Sequence, residues 1–135
     1  MREIKFRAWD RVNKKMFYYG DSLFNLFITF EGDVGYYNNN GDIAFTNDNG
    51  FTSDQFELMQ FTGLLDKNGV EIYEGDIVEI PAEEYLAVIE WDVETCRFVI
   101  NIWPENVLCD FDNYYGRELE VISNKWDNPS LMEAN

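Results

Sequence analysis

Carboxylates are the one chemically capable group this chain carries in abundance, with 26 Asp and Glu against ten Lys and Arg and no histidine. Paired carboxylates serve metal-dependent nucleases by clamping cations, and glycosidases as general acid and base. Glu90, Asp92 and Glu94 gather near one expected hairpin, and Asp110 with Asp112 forms a second cluster. The run Asp110-Phe111-Asp112-Asn113 begins like a loop of oxygen ligands for calcium but lacks the spacing and the glycine of an EF-hand. In so acidic a chain such clusters arise freely as solvated faces, and both are read that way, with no metal site and no catalytic residue expected.

Other chemistries find less support. Without histidine there is no Ser-His or Cys-His nucleophile pair and no imidazole to complete a zinc shell. Cys96 and Cys109 form no C-x-x-C pair, and both read as reduced core residues. Neither G-x-x-x-x-G-K-[ST] nor G-x-G-x-x-G occurs, so nucleotide-dependent catalysis has no support and no cofactor is expected. Trp9, Trp91, Trp103 and Trp126 offer ring surface for stacking or peptide binding. Trp9 and Trp91 each end an expected strand, however, where a large ring more often plugs the rim of a barrel, so core packing is the expectation.

The elements that would position these groups read as strands. Ile4, Phe6 and Ala8 alternate with Lys5 and Arg7, the period of two that sets one strand face on a core and the other in water. A polar turn over Asp10–Lys14 then leads into Met16–Tyr19, completing a hairpin. Residues 23–30 are β-branched and aromatic, and Asn/Gly turns follow. Residues 31–55 are poor in aliphatic side chains and read as a flexible excursion.

Strand character returns at Phe56–Phe61. Asp66-Lys67-Asn68-Gly69 is a hairpin turn, and Glu74-Gly75-Asp76 a second corner. Ile77–Ile80, Tyr85–Trp91 and Arg97–Ile102 follow as strands, the last with Phe98, Ile100 and Ile102 on a core face and Arg97, Val99 and Asn101 on an outer one. Pro104 interrupts the pattern, leaving Glu105–Tyr115 open between a helical turn and a loop. Leu119 and Val121 alternate with Glu118 and Glu120 as a last strand, and Asp127-Asn128-Pro129-Ser130 opens a terminal helical turn in which Leu131 and Met132 tuck in. The expected fold is mainly β: several β-hairpins, a small SH3-like barrel-type C-terminal half and at most short helices.

At 135 residues the chain has the length of one ordinary domain. No apolar run approaches the ~18 residues that span a bilayer, and the start is no signal-peptide core, so an intracellular protein is expected. A net charge of −16 argues against direct nucleic-acid binding, which needs clustered Lys and Arg. Charge is also unevenly spread. Arg2, Lys5, Arg7, Arg11, Lys14 and Lys15 against Glu3 and Asp10 give residues 1–15 a charge of +4, and four basic against 24 acidic residues give the remainder −20. This basic head either folds onto the acidic body or reaches an acidic partner or a neighbouring copy, which makes its six cations candidate assembly contacts.

Three segments carry a resemblance. The opening Met1–Asp10 with Asn13-Lys14-Lys15-Met16, the central run Leu58–Val78 and the close Glu120–Asn124 with Asp127-Asn128-Pro129 and Leu131 are together similar to the YopX family of bacteriophage and prophage proteins. The chain departs from that pattern at Leu65, where lysine is common, at Ser123, where glycine is common, and across residues 20–55. The resemblance implies a single domain over residues 1–135: a basic N-terminal hairpin (1–19), a variable turn-rich section (20–55) and the barrel part (56–135). It implies a phage or prophage accessory protein in the cytoplasm of the bacterial host, with no established activity and no functional residue to carry over. Its signature residues Gly63, Gly69, Tyr73, Gly75 and Asp76 read as structural, the glycines permitting tight corners.

The functional expectation is a non-catalytic interaction module that self-associates as a homo-oligomer through strand edges or the basic head, or meets a host or phage protein. Two alternatives stand beside it. One is an acidic nucleic-acid mimic that inhibits a host DNA-binding protein or nuclease, which calls for carboxylates at phosphate spacing on one face. The other is a metal-dependent enzyme, which calls for carboxylates converging in a pocket.

Overall fold

A computed structural model describes residues 3–18, 25–28, 34–37, 43–44, 56–80, 85–111 and 118–132. The chain divides into two compact units, one of Lys5–Met59 and one of Met1–Ile4 with Gln60–Asn135. The chain is mainly β, and its described helical structure is a single 3-10 turn at Pro129–Met132.

In the first unit, β1 (Phe6–Asp10) and β2 (Lys15–Tyr18) pair antiparallel from Arg7↔Tyr18 to Asp10↔Lys15. Asp10 holds the connecting turn, its carboxylate accepting the Val12 and Asn13 backbone N–H groups at 2.9 and 3.1 Å and the Asn13 amide at 2.7 Å. Ala8, Phe17 and Phe56 form this unit's core with Leu58 against them, and the Phe17 and Phe56 rings meet edge to face at 6.3 Å. β1 departs from the expected half-wet strand: Arg7, Ala8, Trp9 and Asp10 are all buried, whereas Ile4 lies ahead of the strand and is exposed. β3 (Asn25–Ile28), β4 (Val34–Tyr37) and β5 (Ile43–Ala44) form a three-stranded antiparallel sheet. Apart from 34–37 and 43–44, the expected excursion over 31–55 lies outside the described residues.

β6 (Phe56–Leu65) runs across the boundary of the two units, and its second-unit part pairs antiparallel with β7 (Glu71–Tyr73) at Phe61↔Tyr73 and Leu65↔Glu71. The second unit continues with β8 (Asp76–Ile80), β9 (Tyr85–Asp92), β10 (Arg97–Trp103), β11 (Val107–Asp110) and β12 (Glu120–Asn124). These five strands form one antiparallel sheet in the order β11-β10-β9-β8-β12. Register sets the core face. Ile100 lies opposite Ile89, Ile102 opposite Ala87, and Ala87 opposite Val78, so one side chain in two from each strand meets Ile72 and Leu119. Each fully buried aliphatic side chain there contributes about 1.5–3 kcal/mol of transfer free energy.

Four expectations are corrected in this unit. Val99 and Asn101 do not face water: both are buried, as are Ile77 and Val88 on the same sheet face. Of the stretch Glu105–Tyr115, left open between a helical turn and a loop, the described part 105–111 holds a strand, because Asn106 takes the left-handed conformation (φ 60°) and turns the chain into β11. Cys96 is no core residue. It is exposed, with φ 55°, at the end of the β9–β10 turn, and Cys109 is half-buried beside the core. The terminal turn forms with Pro129 at its first position, but Leu131 stays exposed.

Candidate functional site

The signature residues Gly63, Gly69, Tyr73, Gly75 and Asp76 form corners. Gly69 ends the β6–β7 turn at φ 81°, where a Cβ would meet no atom within 4 Å, so backbone conformation alone selects glycine. Gly63 (φ 91°) sits where the register between β6 and β7 shifts. At the β7–β8 corner, Gly75 (φ 88°) donates its N–H to the Ile89 carbonyl at 2.8 Å and accepts the Lys125 N–H at 2.9 Å. Asp76, buried, accepts the Tyr73 N–H at 2.8 Å and closes that corner. The Tyr73 ring packs on Phe61 with centroids 5.5 Å apart.

Asp66 escaped the sequence reading as anything more than a turn former. Its buried carboxylate accepts Asn68 and Val70 N–H at 2.8 and 2.9 Å within its own turn, and Val121 N–H at 2.9 Å from β12. The Lys67 N–H also donates to the Leu119 carbonyl at 2.9 Å. One side chain thus organises a turn and ties it to a strand 55 positions away, which no local pattern reveals.

The suspected carboxylate cluster of the β9–β10 hairpin is dispersed. Asp92 caps its turn by accepting the Thr95 hydroxyl at 2.6 Å and the Glu94 N–H at 3.1 Å. Those bonds, first the hydroxyl and then the backbone N–H, with the Arg97 charge adding, hold its carboxyl below the ordinary carboxylate range. Glu90 accepts the buried Asn101 amide at 3.1 Å. Asp110 pairs with Arg97 at 2.6 Å, and Asp112 lies outside the described residues. Among the described residues no group of three or more Cys, Asp or Glu stands close enough to hold a metal ion.

The basic head is equally divided. Arg7 is buried, its guanidinium 5.8 Å from the centre of the Tyr18 ring, and so is withdrawn from any neighbour's reach. Arg11 pairs with Glu57, while Lys15 sits 5.2 Å from the Phe17 ring centre. Lys14, exposed, takes the left-handed position that ends the β1–β2 turn. Lys5 is half-buried just ahead of β1, and Arg2 lies outside the described residues.

Two features of the second unit remain accessible. An open cleft of about 270 Å³ is walled by Leu64, Trp91, Phe98 and Phe111, with Thr62, Arg97 and Cys96 at its margin. Trp91, expected in the core, is 44% exposed and meets Phe98 edge to face at 5.0 Å. The polar groups here are engaged with residues outside the cleft: the Thr62 hydroxyl donates to the Ile72 carbonyl at 2.7 Å, and Arg97 donates to Thr95 at 3.2 Å. The cleft offers an apolar slot without a paired acid, base or nucleophile.

The second feature is the outer edge of β11, which has no paired strand among the described residues. Val107 and Leu108 on it are 49% and 52% exposed. The opposite sheet edge, β12, is met by the Asp66 turn at Val121 and at Leu119 just ahead of the strand. No helix among the described residues is long and apolar enough to cross a membrane.

Fold and site together define a mainly β protein whose signature residues build corners. The model of the YopX protein family matches residues 5–133, and the chain belongs to that family. Two solved structures share its fold along nearly its whole length. The crystal structure of protein EF1440 from Enterococcus faecalis is 28% identical, with a TM-score of 0.62, and the alignment covers 98% of this chain and all of that one. The X-ray structure of protein yopX from Bacillus subtilis is 21% identical, with a TM-score of 0.64 and the same coverage. No curated protein matches the chain.

Proposed function

We propose that this protein is a non-catalytic protein-interaction module that self-associates, an accessory protein of a phage or prophage acting in the host cytoplasm. The observation that carries the reading is the apolar edge of β11, which no other strand pairs among the described residues, set against carboxylates at Asp10, Asp66, Asp76 and Asp92 that are committed to backbone turns. An unpaired, apolar strand edge is a ready template for another chain, and beyond keeping such edges short, as β11 is, proteins that stay monomeric blunt them with Lys, Pro or a bulge. β11, Val-Leu-Cys-Asp, has none of these residues and pairs with β10 in unbroken register.

Light scattering coupled to size exclusion, at low and high salt, tests the reading. A mass above 15.9 kDa supports it. A mass that falls with salt assigns the contact to the basic head, and one that holds assigns it to apolar surface. A monomer at every concentration and salt refutes self-association.

A further inference from the structure

β11 carries little net charge in a chain of −16. Val107, Leu108 and Cys109 are uncharged, and Asp110, the one charged residue of the strand, is matched at 2.6 Å by Arg97 of the same chain. Across most of so acidic a surface two copies repel at close range, and along this strip that local repulsion is smallest. The sheet's other edge is closed by the Asp66 turn, so edge pairing joins two copies and stops. We infer that the β11 edge is a homodimer interface, in which β11 of one copy pairs antiparallel with β11 of a second copy and the two five-stranded sheets become one of ten. This rests on the self-association proposed above and names its surface and geometry.

Symmetry narrows the register. A two-fold axis that joins two antiparallel edges stands perpendicular to the sheet and keeps each face continuous. Residues opposed across the axis must therefore point to the same face, and their sequence numbers must differ by an even number. Three centres, Val107, Leu108 and Cys109, meet that rule within the strand's apolar stretch, and an axis at Val107 sets each Leu108 opposite the second copy's Asn106, which lies in the turn ahead of the strand and outside its ladder. With the axis at Cys109, each Leu108 lies opposite the second copy's Asp110, an apolar side chain against a carboxylate. With the axis at Leu108, the two Leu108 side chains oppose each other and each Val107 faces the second copy's Cys109. The register centred on Leu108 covers both exposed aliphatic residues and sets the two Asp110 groups at opposite ends of the ladder, so it is the one assigned. A four-residue edge falls well short of the roughly 800 Å² per partner of a stable interface, so the dimer is weak and dissociates on dilution.

The test combines sedimentation velocity over a dilution series with cross-linking. The wild-type chain is expected to form a salt-insensitive dimer at high concentration. Leu108→Lys, which sets two like charges face to face on the axis, is expected to weaken the dimer at least ~10-fold. Leu108→Thr keeps strand propensity and serves, with far-UV circular dichroism, to show that the fold survives at this half-exposed position. In a Cys96→Ser, Cys109→Ser background, Leu108→Cys is expected to form an intermolecular disulfide under mild oxidation, because opposed residues of an antiparallel pair stand ~4.5–5.5 Å apart, within disulfide reach. Native Cys109 in the Cys96→Ser background is expected not to cross-link. A wild-type dimer that survives Leu108→Lys, or cross-linking through Cys109 in place of position 108, overturns this inference and leaves self-association standing through another contact. A wild-type monomer throughout removes both.

Discussion

Asp66 is the residue whose loss should be felt most for its size. Replacing it by alanine deletes the acceptor of three backbone N–H groups, those of Asn68, Val70 and Val121. Hydrogen bonds to a charged acceptor are worth about 1.5–3 kcal/mol each. They are not additive here. Asn68 and Val70 are exposed and can be rehydrated, whereas the Val121 N–H lies against the turn that Asp66 itself holds in place. We therefore expect Asp66→Ala to cost about 3–5 kcal/mol, a large share of the ~5–15 kcal/mol that stabilises a typical domain. Asp66→Asn keeps the shape but turns an N–H₂ toward one of the donors, and should cost about 1–3 kcal/mol.

Urea unfolding followed by fluorescence of Trp91, Trp103 and Trp126, all in the second unit, reads both values. With a slope near ~2 kcal/mol/M, the alanine variant's midpoint falls by about 1.5–2.5 M. Asp66→Ala costing under ~1 kcal/mol, or Asp66→Asn matching the wild type, would refute the reasoning, because the bonds would then contribute no more than water does.

Further outcomes are expected from the turns. Gly69→Ala should cost about 1–2 kcal/mol through the left-handed backbone alone, since a Cβ there meets no atom within 4 Å, and a loss above ~3 kcal/mol in the same urea assay would indicate a steric clash instead. Thr95→Val should raise the Asp92 pKa toward the ordinary carboxylate value by removing the largest cause of its depression, and carboxyl-detected NMR titration reads the shift directly. Because the folded-state value is the depressed one, the turn's contribution is present above the ordinary carboxylate pKa and is lost as pH falls through the folded value. In the valine variant that contribution should be smaller and its loss complete at higher pH, because the folded-state value moves up toward the unfolded one.

Where the sequence predicted well, the determining interactions were local. Asp66 to Gly69 and Glu74 to Asp76 are corners because a short carboxylate caps its own turn and glycine tolerates positive φ, and both facts are written within four or five residues. Asp10 with Asn13, and Pro129 at the head of the last turn, belong to the same class. β8, β9 and β10 were legible as strands from their β-branched and aromatic composition, and in β10 the period of two marked Ile100 and Ile102 for the core.

What local pattern could not supply was the second buried face. Arg7, Val99 and Asn101 alternate with core residues and so read as outward, yet they are buried, because burial depends on what packs against a face and not on the strand that carries it. β11 was missed because an isolated Val-Leu-Cys-Asp after a proline has little strand signal of its own. Pairing with β10, after Asn106 reverses the chain, is what makes it a strand. The reach of Asp66 to Val121 and the open edge of β11 are likewise products of topology. Sequence alone determined the corners, the alternation and the charge asymmetry of this protein. Tertiary structure decided which edge is closed and which stays open, because an edge exists only once the order of strands in the sheet is set.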